Sequence, residues 1–197
     1  FLPEMIKDQR LVCKNLTPKE HITKPPARFT EASVIKEMEK QGIGRPSTWA
    51  SIIERIQKKD YVRNQKGSLI PTFLAVAVIQ LLENHFSSIV DSQFTSKMED
   101  ELDSISRGES EPHPFMHGFY FGSDDTPGLH QMLEDEIDIR TACTILISNG
   151  SAEEIVIRVG NYGPYIEQGE ERRNIPAEFS LGDISVEKAI EILAKDS

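Results

Sequence analysis

Residues 42–51 read Gly42-Ile-Gly-Arg-Pro-Ser-Thr-Trp-Ala-Ser51, and they follow the proline-containing run Lys24-Pro-Pro-Ala-Arg-Phe-Thr-Glu-Ala-Ser33. Thr30 is a favoured N-cap, and the apolar residues after it share one face, so a helix is predicted that stops at Gly42. Pro46 suits the first turn of a second helix. The apolar residues of that helix recur at helical spacing, at Trp49, Ile52, Ile53 and Ile56.

Three polar side chains are predicted at the start of the second helix: Arg45, Ser47 and Thr48. Ser47 or Thr48 can cap the helix, and the backbone N–H groups of a first helical turn attract an anion because they lack partners within the helix. A guanidinium beside two hydroxyls therefore predicts a contact with a nucleic-acid phosphate. Lys24 and Arg28 are weaker candidates for the same contact.

The residues after the second helix predict a short hairpin. Residues 61–71 alternate weakly between apolar and polar around Lys66-Gly67. Helix, turn, helix and hairpin in this order form a winged-helix-like segment, which we assign to residues 28–72, with the second helix as its recognition element. Trp49 belongs to the apolar stripe of that helix, which favours core packing over base stacking.

Helices are also predicted in the middle of the chain. Residues 73–86 are apolar on most faces and predict a buried central helix. The residues expected on its packing face are Leu74, Val78, Leu81 and Leu82. Thr95 can cap a further helix that ends at Gly108, and the proline-rich residues 110–128 predict a short helix and a linker.

The last part of the chain has the pattern of a small antiparallel sheet. Strands are predicted at 144–147 and 154–159, joined by a turn at 148–151, and a second turn at 160–166 leads into a third strand. Ser185 caps a final helix that must cover the sheet. The apolar face of that helix is predicted to be Val186, Ala189, Ile190 and Leu193.

These patterns predict an α+β fold. It consists of a mainly helical, winged-helix-like core segment and a small domain made of an antiparallel sheet and a helix. We place the first part at residues 1–138, with its closing helices at 73–138, and the second part at 139–197.

Charge is also distributed unevenly along the chain. The net charge is −10, but residues 1–66 hold 14 Lys and Arg against 8 Asp and Glu, whereas residues 67–197 hold 8 against 24. A basic segment joined to an acidic body fits a protein that contacts phosphate at one end, although charge alone fits a merely solvated surface equally well. No apolar run approaches the roughly 20 residues that span a bilayer.

Two stretches of the chain resemble the type IA DNA topoisomerases, and within them the bacterial enzymes. The first comprises the two runs quoted above, continued by Ile52-Ile-Glu-Arg-Ile-Gln-Lys-Lys-Asp-Tyr-Val62. About twenty positions match in order, which is far more specific than a short pattern. The second is Asp91-Ser-Gln-Phe-Thr-Ser-Lys-Met-Glu-Asp-Glu-Leu-Asp-Ser-Ile-Ser-Arg-Gly108, similar to the helix that closes the family core.

A third stretch, Val159-Gly-Asn-Tyr-Gly-Pro-Tyr-Ile-Glu167, resembles the zinc-free repeat found at the C-terminus of many bacterial members. The resemblance implies that residues 1–138 are the C-terminal part of the enzyme core and that 139–197 form one such repeat. It also implies that Arg45, Ser47 and Thr48 touch the single-stranded DNA segment near the cleavage site.

The resemblance implies a reaction in which a tyrosine attacks a DNA phosphodiester while Mg²⁺ is held by acidic residues of a separate domain. None of the four tyrosines lies in the family's nucleophile string, and the Asp-x-Asp-x-x-Gly run of the metal domain does not occur. The tyrosines are Tyr61, Tyr120, Tyr162 and Tyr165. No catalytic residue and no metal ligand is therefore assigned to this chain, and Mg²⁺ is expected only in the parent enzyme.

Two groups of side chains could bind a metal in principle. The carboxylates of Glu99, Asp100, Glu101 and Asp103 diverge around a helix, which favours a solvated acidic face over a magnesium site. His113 and His117 lie four apart and His130 could join them, but no cysteine or carboxylate completes a familiar set. Helix capping and packing explain these residues adequately.

The main interpretation is a fragment of a bacterial type IA topoisomerase that holds a DNA strand during ATP-independent breakage, passage and rejoining of single strands, which relaxes negative supercoils. The alternative is a non-enzymatic module that binds a nucleic acid or a basic protein. We expect a monomer without a membrane partner, located in the cytoplasm with the nucleoid, and expect the fragment alone to be inactive.

Overall fold

The computed structural model describes residues 4–123, 126–148 and 154–194. The first of these segments begins with an exposed lead-in, residues 4–30, which contains no helix or strand. It is tied to the rest of the chain at its end, where the Leu69 amide donates a hydrogen bond of 2.7 Å to the Phe29 carbonyl.

The predicted winged-helix-like order is observed. Helix α1 spans Glu31–Gln41, α2 spans Pro46–Lys58, and strands β1, Val62–Gln65, and β2, Ser68–Pro71, pair antiparallel. Local chemistry explains the boundaries. Thr30 accepts a hydrogen bond from the Ser33 amide at the start of α1, and Gly42 ends the helix at φ 71°. Lys66 and Gly67 both have positive φ, which a two-residue hairpin turn of this hand requires.

Three helices follow the hairpin: α3, Phe73–His85, the single turn α4, Ser87–Val90, and α5, Ser92–Ser106. The Thr72 hydroxyl caps α3 by accepting from the Ala75 amide, and it donates to the Asp60 carbonyl at 2.7 Å. The central helix was predicted correctly, but its fully buried residues are Phe73 and Ala77, whereas the predicted stripe is only half-buried. The predicted cap of α5 was wrong, because Asp91 rather than Thr95 accepts from the first turn.

Residues 110–142 form short elements that lead to the terminal sheet. Helix α6 spans Pro112–Phe121, so the predicted short helix is present. It is followed by the two-residue strands β3, Gly122–Ser123, and β4, Thr126–Pro127. Helices α7, Leu129–Glu134, and α8, Ile139–Ala142, complete the connection.

The terminal sheet has four antiparallel strands in the order β5, Ile145–Ser148, β6, Ile155–Gly160, β7, Gly163–Gln168, and β8, Glu171–Asn174. The sequence predicted the first three strands and missed β8. The predicted turn at 148–151 lies mostly outside the described residues. A 3-10 turn at Leu181–Asp183 precedes the final helix α9, Val186–Leu193, which Ser185 caps as predicted.

The hydrophobic core lies between the sheet and α9. Ile155, Ile157 and Ile166 are fully buried, and each such side chain contributes about 2 kcal/mol by leaving water. Helix α9 covers the sheet with Ala189, Ile192 and Leu193. The predicted face was therefore partly wrong, because Ile190 is 51% exposed and Ile192 takes its place.

The core also receives Phe73 and Ala77 from α3. The α+β fold class is confirmed, since the described residues contain both helices and small antiparallel sheets. The domain boundary at 138/139 stays a prediction. Because α3 packs on the terminal sheet, the buried cluster itself crosses that boundary.

The opposite face of the terminal sheet carries a buried carboxylate, Glu167, which is 8% exposed. Its oxygens lie 2.8 Å from Arg158 Nε, 2.9 Å from Arg172 Nε and 3.3 Å from Arg140 Nη2. Burial alone would raise the pKa of Glu167, but the hydrogen bond from Arg158 and the charges of the three arginines outweigh it and lower that pKa. The Glu167 carboxylate thus links three arginines on this face of the sheet.

Candidate nucleic-acid interface

Thr48, in the first turn of α2, binds the backbone of the N-cap residue through its hydroxyl. Arg45, not Ser47 or Thr48, occupies the N-cap position, with φ −136° and ψ 162°. The Thr48 hydroxyl accepts a 2.9 Å hydrogen bond from the Arg45 amide and donates to the Arg45 carbonyl at 3.0 Å. The prediction that Ser47 or Thr48 caps the helix is therefore confirmed for Thr48, which does so from the third helical position.

Ser47 lies in the same turn and is exposed. Within the described residues its hydroxyl and amide make no hydrogen bond, and the preceding Pro46 has no N–H. The first turn of α2 thus presents an unpaired donor and hydroxyl to solvent, at the end of the helix where the dipole favours negative charge. This arrangement can accept an anion such as a phosphate.

The Arg45 side chain lies beside this turn but is already engaged. Its Nη1 donates to the carbonyls of Gly42, at 3.3 Å, and Gly44, at 2.9 Å. Its Nε and Nη2 donate to Asp103 at 3.0 and 2.8 Å, and Nη2 also donates to Asp100 at 3.1 Å. The hydrogen bond to Asp103 raises the pKa of Arg45, and the guanidinium is charged at any physiological pH.

The glycine turn that holds Arg45 is packed tightly. A Cβ atom on Gly42 would lie 2.5 Å from Ser96 Oγ of α5, and Gly42 itself has positive φ. Trp49 lies beneath the turn, half-buried, with its indole N–H donating to the Ile43 carbonyl at 2.9 Å. This position agrees with the predicted packing role of Trp49.

The structure does not bring all the predicted residues together. Arg45, Ser47 and Thr48 share one turn, whereas Arg28 lies near the terminal part of the chain, with its Nη2 3.6 Å from the position of a Cβ on Gly182. The pKa of Asp183 is lowered mainly by hydrogen bonds from Ser180, and the charge of Arg28 adds a smaller effect in the same direction. Lys24 lies in the exposed lead-in.

Two residues of this site were missed from the sequence, Asp100 and Asp103. They were assigned to a solvated acidic face, but both contact Arg45 while remaining partly exposed, with 74% and 46% of their side-chain surface accessible. Their spacing of three places them on the same side of α5. The sequence carries no signal that this side faces Arg45, 55 and 58 residues earlier.

The donor sets do not fit a bound metal. In the parts of the chain that the structure describes, no three His, Cys, Asp or Glu side chains are grouped so that they could hold an ion. Asp100 and Asp103 are shared with a guanidinium. His113 faces His117, and His117 and His130 contact aromatic rings. His130 also lies 3.6 Å from Glu134. The Mg²⁺ that the resemblance implies is therefore not assigned to these residues.

Cys13 is exposed and Cys143 is half-buried, and neither forms a disulfide within the described residues. Burial raises the pKa of the Cys143 thiol, which keeps it unreactive near neutral pH. Among the described residues, no helix combines the length and apolar character that crossing a bilayer requires.

A winged-helix-like segment with an anion-accepting helix start is typical of nucleic-acid-binding proteins, and comparison with known families defines this one further. Residues 1–117 match the model of the DNA topoisomerase family, and residues 149–197 match the topoisomerase C-terminal repeat. The chain belongs to the DNA topoisomerase family.

Similar proteins occur in bacteria. DNA topoisomerase 1 of Streptomyces coelicolor is 41% identical over the whole chain, which covers 23% of that protein. DNA topoisomerase 1 of Synechocystis is 40% identical over 98% of the chain, which covers 22% of that protein. DNA topoisomerase 1 of Mycobacterium tuberculosis is 39% identical over 98% of the chain, which covers 23% of that protein. The resemblance to bacterial DNA topoisomerase I is thus confirmed, for a chain that spans less than a quarter of these relatives.

A solved structure of similar fold is full-length topoisomerase I from Thermotoga maritima. The two agree with a TM-score of 0.62 and 29% sequence identity, over 80% of this chain and 26% of the other. The likeness extends the sequence relationship to the arrangement of the elements.

Proposed function

We propose that this chain contributes DNA-strand binding to a type IA DNA topoisomerase, an isomerase that relaxes negative supercoils without ATP by breaking, passing and rejoining single strands. Family membership supports the reaction class. The chain spans 22–23% of the curated relatives, so this activity is proposed for the parent protein and strand binding for the chain itself.

The observation that carries the binding role is the exposed Ser47 hydroxyl in the first turn of α2, two residues after Arg45. Hydroxyl, backbone N–H and guanidinium groups bind phosphate oxygens without reading bases. Contacts of this kind suit a single-stranded segment near the cleavage site, where the enzyme must act on many sequences. Arg28 and Lys24 would add only long-range positive charge.

Replacing Ser47 with aspartate tests this role. A carboxylate in the first turn favours the helix but repels phosphate, so binding and folding should change in opposite directions. We expect Ser47→Asp to weaken binding of a fluorescently labelled single-stranded oligonucleotide about tenfold or more at low salt, as close like charges do. Fluorescence anisotropy over a salt series measures this, with duplex of the same length as a comparison.

Ser92→Asp is the matched control, because Ser92 is also exposed and also lies in the first turn of a helix, α5. It makes the same change of charge at another helix start and should affect affinity less than twofold. Equal losses for the two variants would contradict a site at α2. Failure of the chain to bind either DNA form would favour the alternative, a module that binds another protein.

We further propose that the chain alone neither cleaves nor relaxes DNA. The nucleophilic tyrosine and the acidic residues that hold Mg²⁺ are expected in parts of the parent enzyme with which this chain shares no sequence. Incubating the chain with supercoiled plasmid and Mg²⁺ should leave the band pattern on an agarose gel unchanged. A ladder of topoisomers would overturn this proposal.

The domain division belongs to the proposal as well: residues 1–138 as the C-terminal part of the core and 139–197 as one zinc-free repeat. The two family matches, 1–117 and 149–197, support it because they fall on either side of the boundary. We propose a monomer that works with the nucleoid in the cytoplasm, where its substrate is. Sedimentation of the chain with and without oligonucleotide tests the monomeric state.

A further inference from the structure

The guanidinium of Arg45 has no donor left for DNA in this structure. It carries five N–H groups. Two of them bind the Gly42 and Gly44 carbonyls, and the other three bind Asp103, twice, and Asp100. A phosphate can gain hydrogen bonds from Arg45 only if one of these partners leaves.

The two sets of partners differ in how easily they can leave. The carbonyls belong to the tight turn between α1 and α2, where Gly42 packs against Ser96, so the Nη1 side of the guanidinium is fixed to the backbone. The carboxylates are exposed side chains of another helix, with 74% of Asp100 and 46% of Asp103 accessible. Exposed ion pairs add little to stability, so solvent or a second anion can replace them.

The Asp103 contact also uses the edge of the guanidinium that commonly binds phosphate. One carboxylate oxygen, Oδ2, receives hydrogen bonds from Nε at 3.0 Å and from Nη2 at 2.8 Å. The Nε–Nη2 edge of arginine is the one that presents two parallel donors to carboxylate or phosphate. Asp103 therefore occupies the edge that a DNA phosphate would use.

We propose that Asp103, assisted by Asp100, is an internal ligand of Arg45 that a DNA phosphate replaces, so that these carboxylates set the affinity of the α2 start for a strand. The inference rests on the proposed strand-binding function. In the absence of DNA the carboxylates hold the guanidinium against α5. When a strand binds, the Nη1 side stays on the turn while the Nε–Nη2 edge passes from carboxylate to phosphate.

A double-mutant cycle in the full 197-residue chain tests this exchange. Asp103→Asn removes the competing charge and keeps the shape, and it should tighten binding of a labelled single-stranded oligonucleotide about fivefold, the upper range for loss of an exposed ion pair. In an Arg45→Ala background the same substitution should tighten binding less than about twofold, because only the general charge of α5 then changes. Asp103→Ala, which leaves no acceptor, is the second variant.

Glu101→Gln is the control for charge, since Glu101 lies on α5 with the same charge but makes no contact with Arg45 in the described residues. It should match the Asp103→Asn effect seen in the Arg45→Ala background. Equal tightening by Glu101→Gln and Asp103→Asn, or weaker binding by both Asp103 variants, would overturn the exchange. If the wild-type chain binds and responds to Ser47→Asp while Asp103→Asn is neutral, the exchange fails and the proposed function stands.

Discussion

The winged-helix-like segment and the terminal sheet are stabilised in different ways. Helix α1 has no buried residue and α2 has one, Ile53, whereas three isoleucines of the sheet have no accessible surface. The first region depends on helix caps and on a tight glycine turn whose carbonyls bind Arg45, and the second on apolar burial. A region with few buried contacts opens locally at lower free energy. The part proposed to hold DNA is thus the more adaptable one.

The largest effect should come from the sheet core. Ile157→Ala leaves a cavity beneath α9 and should lower the free energy of unfolding by about 4 kcal/mol. Urea unfolding followed by far-UV circular dichroism measures the loss. Trp49 is the only tryptophan, so its fluorescence reports the winged-helix-like segment separately. Because α3 packs on the sheet, the fluorescence midpoint should fall too, by a smaller amount.

The control for this substitution is Ile190→Ala, which removes the same atoms from a side chain of α9 that is 51% exposed. It should cost less than about 0.5 kcal/mol. Similar losses for the two isoleucines, or a fluorescence midpoint that moves as far as the dichroism midpoint, would remove the contrast between the regions.

An intermediate effect is expected at Glu167. Glu167→Gln leaves three arginines without their anion and should cost about 2 kcal/mol, below the range for fully buried pairs because Arg140 and Arg172 are more than half exposed. The pKa of Glu167 lies below its ordinary value of 4.5, so the unfolded chain binds the proton first as pH falls. The stabilisation that the Glu167 carboxylate provides is therefore complete above about pH 4.5 and is lost as the pH falls below it.

Unfolding at a series of pH values measures the second part of this prediction. The gap between the wild type and Glu167→Gln should be constant near neutral pH and should close as the pH falls below about 4.5. A gap that widens in acid would show that the arginines do not stabilise the carboxylate form.

The smallest effect is a difference of about 1 kcal/mol between two glycines, and it concerns the turn that supports Arg45. Gly42→Ala should cost about 2 kcal/mol, because alanine is strained at positive φ and its Cβ would press on Ser96. Gly108 has a similar φ but no neighbour within 4 Å, so Gly108→Ala should cost about 1 kcal/mol. Adding Ser96→Ala should recover the difference. Equal costs at the two glycines would mean that the turn is not held against α5.

The sequence predicted those features whose causes are local. Thr30, Gly42 and Ser185 define helix ends by their own chemistry, and the hairpin follows from Lys66-Gly67. Strand β8 was missed because Glu171-Arg-Arg-Asn174 has no strand character of its own and becomes a strand by pairing with β7.

In the candidate site too, the sequence indicated what depends on neighbouring residues and missed what depends on distant ones. The start of α2 could be recognised from contiguous residues, whereas the pairing of Arg45 with Asp103 joins positions 58 apart. The role of α3 was likewise hidden, since its apolar surface is wide enough to pack on several sides and the pattern did not say which side meets the sheet.

A hydrogen bond of Thr72 connects the end of α2 with the helix that packs on the terminal sheet. Thr72, which caps α3, also donates to the Asp60 carbonyl just beyond the end of α2, and the next residue, Phe73, is buried among the isoleucines of the sheet. Thr72 and Phe73 therefore link the terminal sheet directly to the C-terminal end of α2. Torque applied at the C-terminal portion would therefore act first on the end of α2 that lies opposite the proposed strand-binding turn.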